Sequence, residues 1–192
     1  MPALVLGLHE LAGQEVLGGA VQGERLFADL FARANPADAQ LIVLDFAGIQ
    51  LATSSFLRES VMAFRSVCSV RHPRSPVIIA NANAAVVEEL EEILLRQRDA
   101  MAICHLPPKG EPHQPRVIGE LEPAQATTLR AVLDMGQSDA MGLARRFKER
   151  GTRPTKWNNR LTALQKRGIL VEEQVGRRKV YRPVLKGLQY GT

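Results

Sequence analysis

The chain has 192 residues, 45% of them hydrophobic and 23% charged, a balance that fits folded domains and excludes a disordered or low-complexity protein. No run approaches the roughly 18 consecutive apolar residues of a membrane span, and no basic stretch precedes the apolar N-terminus as in a secretory signal. The net charge of +5 is uneven: residues 1–115 carry 9 Lys+Arg against 13 Asp+Glu (net −4), while residues 116–192 carry 16 against 7 (net +9). Such a division is the plan of a sensing module joined to a nucleic-acid reader.

Strand and helix patterns alternate through the first part. Residues 3–8 read as a strand and 24–34 as a helix with Leu26, Phe27, Leu30 and Phe31 on one face. LIVLDF (41–46) is a continuous apolar strand, the kind buried on both faces. Residues 54–67 are helical, 76–80 (PVIIA) form another buried strand, 84–98 an amphipathic helix and 101–106 a last strand. Strands alternating with helices imply crossover units, so the expected fold class is α/β. Four prolines and a glycine in residues 105–115 cannot continue a helix or a central strand, which places a linker at 107–115 between domains 1–106 and 116–192.

Beyond the linker the pattern changes. Residues 123–135 are helical, Ser138 is the expected cap of a second helix closed by Gly151, and a third helix opens at Pro154 and stops at Gly168. Residues 169–173 and 179–183 then form a hairpin with a basic tip. Trp157, Leu161 and Leu164 at i, i+4 and i+7 face inward. Thr155, Lys156, Asn158, Asn159 and Thr162 fall mostly on the other side, with Arg160 on the flank and Arg153 ahead of the helix. Asn pairs bidentately with adenine, and Lys and Arg meet guanine or phosphate, so these residue types suit DNA. Arg145, Arg146, Lys148 and Arg150 flank the preceding turn.

The stretch TKWNNRLTALQKRGILVEEQVGRRKVYRPV resembles winged-helix repressors of the ArsR and MarR type. Leu161, Leu164, Gly168, Ile169, Val171, Gly176, Arg177 and Tyr181 carry the likeness, which covers about the last 70 residues. It implies a wing-tip arginine at or near the minor groove, at Arg177 with Arg178 and Lys179 beside it. It also implies a homodimer on a palindromic site. The basic third helix favours DNA over a purely protein-binding winged helix. After His113 the chain has neither Cys nor His, so the metal site of an ArsR sensor is not expected.

The first part offers little chemistry. His9, His72 and His105 are dispersed, and Cys68 and Cys104 are far apart, as expected of reduced thiols in a cytoplasmic protein. Gly18, Gly19 and Gly23 lack the GK[ST] ending of a phosphate loop. No catalytic constellation, metal site or cofactor is expected. DFAGIQLATSSFL (45–57) resembles the STAS domain of anti-sigma-factor antagonists, and more closely a STAS-like bacterial family. Asp45, Phe46, Ile49 and the pair Ser54 and Ser55 match, whereas Thr53 stands in place of an aspartate and Phe56 in place of a glycine. The resemblance implies a phosphorylation or partner-docking site at Thr53, Ser54 and Ser55. The residues themselves read more simply as a helix cap, Thr53 or Ser54, with Phe56 in the core. The expectation is a non-enzymatic DNA-binding regulator, most simply a repressor. The alternative is a protein-interaction adaptor in a partner-switching pathway.

Overall fold

The computed structural model describes residues 3–34, 41–147 and 153–191. Along the first part run β1 (Ala3–Gly7), α1 (Leu8–Ala12), β2 (Val16–Leu17), α2 (Ala20–Arg33), β3 (Leu41–Asp45) and β4 (Leu51–Ala52). Then α3 (Ser54–Leu57), a π-helical turn (Arg58–Met62) and α4 (Ala63–Arg71) follow without a break. After them come β5 (Val77–Ala80), α5 (Ala84–Gln97), β6 (Ala100–His105) and β7 (His113–Gly119). The remainder is α6 (Pro123–Met135), α7 (Ala140–Arg146), α8 (Pro154–Lys166), β8 (Leu170–Val175) and β9 (Arg178–Pro183).

The fold is mixed α/β. Its sheet has the order β1-β3-β5-β6-β7, parallel from β1 to β6, with β7 antiparallel at the edge. Every parallel step moves the same way across the sheet, so right-handed crossovers place α2, α4 and α5 on one face. That face presents Ile42, Leu44, Val77, Ile79, Met101 and Ile103 to a core with Leu26, Leu30, Phe64, Val86, Leu90 and Leu94. The alternate residues Leu41, Val43, Ile78, Ala80, Ala100, Ala102 and Cys104 face the other way. They share a second core with Leu129, Val132, Trp157, Leu161, Leu164, Ile169 and Tyr181. Continuous apolar strands need cover on both faces. Helices of the first half supply one cover and the basic half supplies the other.

Two expectations about the chain's division change accordingly. Residues 107–115 are not all linker, and residues 116–119 do not open the second unit. His113–Gly119 is β7, paired to β6 with Ala100 opposite Gly119 and Ala102 opposite Val117. The prolines fall where an edge strand tolerates them, at the turn and at Pro115. The C-terminal tail also returns to this edge: Val117 donates to the Gln189 carbonyl, and Gln189 to that of Pro115. A further difference lies in the second helix of the basic half, where Asp139 rather than Ser138 is the cap. The Asp139 carboxylate accepts from the Gly142 N–H at 2.6 Å, while Ser138 is buried in a backbone bridge with Tyr181.

One ionic junction ties the halves together. Arg65 is 7% exposed and donates to Asp99 at 2.6 Å, to the Ala100 carbonyl at 2.7 Å and to the Arg167 carbonyl at 2.9 Å. Arg167 donates back to Asp99 at 2.7 Å and to Gln125 at 2.7 Å. Close backbone approach frames the junction. Gly119 has φ +82°, and a Cβ there would meet the Asp99 carbonyl at 2.4 Å. Gly168 has φ +72°, and a Cβ there would lie 3.2 Å from the Val77 carbonyl. Only glycine meets both demands at Gly119.

Burial pushes the Asp99 carboxyl up. The charge and hydrogen bond of Arg65, the Ala100 N–H and Arg167 outweigh it and hold the group below its ordinary value. A depressed carboxyl stabilises the fold above the unfolded-state pKa, and that contribution is lost as pH falls through the lowered folded value. Asp99→Asn leaves Arg65 buried without a counter-charge and should cost about 3 kcal/mol, the low end for a broken pair because Asp99 keeps some exposure. Urea unfolding followed by Trp157, the chain's one tryptophan, measures this; the variant should also lose acid-side pH dependence.

Candidate nucleic-acid interface

Helix α8 is held from below and open above. Pro154 occupies its first turn, where a missing N–H costs nothing. Trp157, Leu161 and Leu164 are buried, as their spacing predicts. Trp157 stacks on Phe147 with ring centroids 5.2 Å apart. On the opposite side Arg153, Thr155, Lys156, Asn158 and Asn159 are exposed. Arg160 is half-buried with its guanidinium 4.9 Å from the Trp157 ring centroid, which braces it on the flank. Thr162 is not a free surface group. Its hydroxyl lies 3.3 Å from that of Tyr181, so it joins α8 to the hairpin.

The hairpin of β8 and β9 pairs in register from Leu170 opposite Pro183 to Val175 opposite Arg178, with Gly176 and Arg177 as its turn. Arg177 and Arg178 are exposed, whereas Lys179 is bound to Glu172 at 3.0 Å. The hydrogen bond and charge of Glu172 hold the Lys179 ammonium above its ordinary value. Tyr181 also donates to Glu172, at 3.1 Å, so Thr162, Tyr181, Glu172 and Lys179 form one chain fixing hairpin to helix. Among the described residues, Arg153, Lys156, Arg177 and Arg178 enter no ion pair. Arg182 pairs with Glu173, and Arg146 with Asp134. Of the flanking cations, Lys148 and Arg150 lie outside the described residues.

The structure therefore brings eight of the ten residues expected at DNA onto exposed positions, Lys179 among them although it is paired. Thr162 and Lys179 are engaged in the helix–hairpin join, and Arg160 is engaged with Trp157. Sequence reasoning missed the Arg65–Asp99–Arg167 junction. Its signal was present as an arginine on the buried face of AFRSVC and an acid just ahead of a buried strand.

At the other end of the chain, Thr53 caps α3. Its Oγ1 accepts from the Phe56 N–H at 3.4 Å and the Gly19 N–H at 3.2 Å, and lies 3.2 Å from the Ser55 hydroxyl. Ser54 donates to Glu89 of α5, so a phosphoryl group on Ser54 would meet a like charge. All three residues are half-buried, and Phe56 is buried in the core. Neither cysteine is poised for chemistry. Burial raises the Cys68 thiol to about 11, and burial together with the Asp45 charge does the same for Cys104. Among the described residues no group of three or more His, Cys, Asp or Glu is placed to hold a metal ion.

No protein-family model and no curated protein matches this sequence.

Thr53→Ala should lower stability by about 1 kcal/mol, the usual worth of an N-cap, and Ser55→Ala by clearly less. Paired urea titrations check the order; equal losses would deny Thr53 its capping role.

Proposed function

We propose that the protein is a DNA-binding transcriptional regulator, most simply a cytoplasmic repressor acting as a homodimer. The basic half is read as a winged helix: three helices, a short bridge between Ser138 and Tyr181, and a hairpin, with α8 as recognition helix and Arg177 and Arg178 at the wing tip. The observation that carries the reading is a group of exposed cations that enter no ion pair among the described residues, Arg153, Lys156, Arg177 and Arg178, beside the exposed amides Asn158 and Asn159. Phosphate contact needs unpaired cations, and base reading needs exposed donors and acceptors at the N-terminal part of the helix. The exposure of both kinds of group supports the reading. The first half is read as a STAS-like sensing or docking layer, on the strength of the Asp45-to-Ser55 resemblance. Among the described residues no helix is long and apolar enough to cross a membrane.

The test uses a duplex selected by the protein from a random-sequence pool. Arg177→Ala with Arg178→Ala should weaken binding to all duplexes and flatten the slope of log K against log salt by about 2. Asn158→Ala or Asn159→Ala should cost about 1–3 kcal/mol on the selected duplex and little on a scrambled one. Selection that enriches nothing, or a wing variant binding with the parent's slope, would defeat the reading.

A further inference from the structure

A cleft of about 380 Å³ lies where the π-helical turn and α4 meet the C-terminal end of α8. Three cations, Arg65, Lys166 and Arg167, stand in its wall against one acid, Asp99. The two arginines are largely engaged already, with the Arg65 Nε buried and without a partner among the described residues. Arg65 holds Asp99 and the Arg167 carbonyl, and Arg167 holds Asp99 and the Arg98 carbonyl. They satisfy the carbonyls that end α5 and α8 and set a positive potential, but have little left to offer a ligand. Lys166 differs. It is exposed and makes no ion pair among the described residues. Ser66 and Gln97 line the same cleft with side chains that enter no hydrogen bond among the described residues, and the Ser69 hydroxyl, donating to the Ser66 carbonyl, still has acceptor capacity.

From this arrangement we infer that the cleft binds a small phosphate-bearing anion. Lys166 supplies the charge contact, and Ser66 and Gln97 donate to phosphate oxygens. A compact ammonium with neutral donors around it suits phosphate as a point charge, whereas the guanidinium N–H groups that would grip a planar carboxylate are engaged with Asp99, Gln125 and backbone carbonyls. The volume falls in the range of small-molecule sites. A buried arginine, Arg65, makes the floor rigid, because moving it breaks the ionic junction. Since α8 and its C-cap supply Ala163, Lys166 and Arg167 to the wall, an occupant bears on the helix whose other end is read as facing DNA. That last consequence rests on the regulator reading; the site itself does not.

Two sources carry the same chemistry, a free small molecule and the backbone of a duplex, and the inference commits to the first. The test is an amide-shift titration of the full ¹⁵N-labelled chain with inorganic phosphate, at ionic strength held constant with chloride and without DNA. Saturable shifts are expected at Ser66, Ser69, Gln97, Ala163 and Lys166. Lys166→Glu should weaken this binding about tenfold or more, the loss of one charge-assisted contact. Lys166→Gln should give an intermediate loss, and both variants should keep the parent's urea midpoint. Shifts that fail to saturate, or that persist unchanged in Lys166→Glu, would overturn the inference. So would shifts at these residues with duplex but none with phosphate, which would give the cleft to DNA. Because no DNA enters the phosphate titration, this site and the regulator reading fail separately.

Discussion

Asp99 sits at the end of α5 and accepts from two arginines of different origin, Arg65 in α4 and Arg167 just beyond α8. Removing the acid leaves two cations near each other and one of them buried, so the junction is stable only as a whole. Around it the backbone closes in: Gly119 passes the Asp99 carbonyl, and Gly168 passes Val77 at distances that admit no side chain without strain. The second core completes the join. Small residues, Ala80, Ala100, Ala102 and Cys104, line much of the sheet face turned toward α6 and α8, and the larger aliphatics point to the helices of the first half. This asymmetry lets the three-helix unit lie close on the sheet.

From that constraint follows the disposition of α8. Its C-terminal end is fixed by Arg167, by the contact of Gln165 with the Pro73 carbonyl and by Gly168 against β5. Its inner face is filled by Trp157, Leu161 and Leu164. What remains outward is the N-terminal part, with Lys156, Asn158 and Asn159. The hairpin is tied to the helix where Tyr181, itself bonded to Glu172 of the hairpin, meets the Thr162 hydroxyl. Helix and hairpin thus form one continuous surface packed on the sheet. The first half and this surface are joined through packed atoms of the second core.

Much of this was legible in the sequence. Helical spacing identified the inward face of α8, and the continuous apolar runs LIVLDF and PVIIA announced strands covered on both sides. The basic character of the second half and the hairpin's basic tip were plain from residue order. The division of the chain was not. Prolines between 105 and 115 read as a linker because local chemistry records where a chain turns, and nothing local records that residues 113–119 pair back onto β6. Nor could spacing alone show that Thr162 and Lys179, polar and suitably placed, were already bound to Tyr181 and Glu172. The short elements α1, β2 and β4 escaped for a simpler reason, since two to five residues carry no readable period. At Thr53 the sequence allowed cap or modification site, and the geometry adds capping bonds and the nearby carboxylate of Glu89.

The measurement that bears most directly on the account is an amide-shift map of the chain on addition of its selected duplex. Changes should concentrate at residues 153–160 and 175–179, with the β1, β3 and β5 amides unmoved. Changes spread over the first half, or none on α8 and the hairpin tip while the duplex binds, would contradict it.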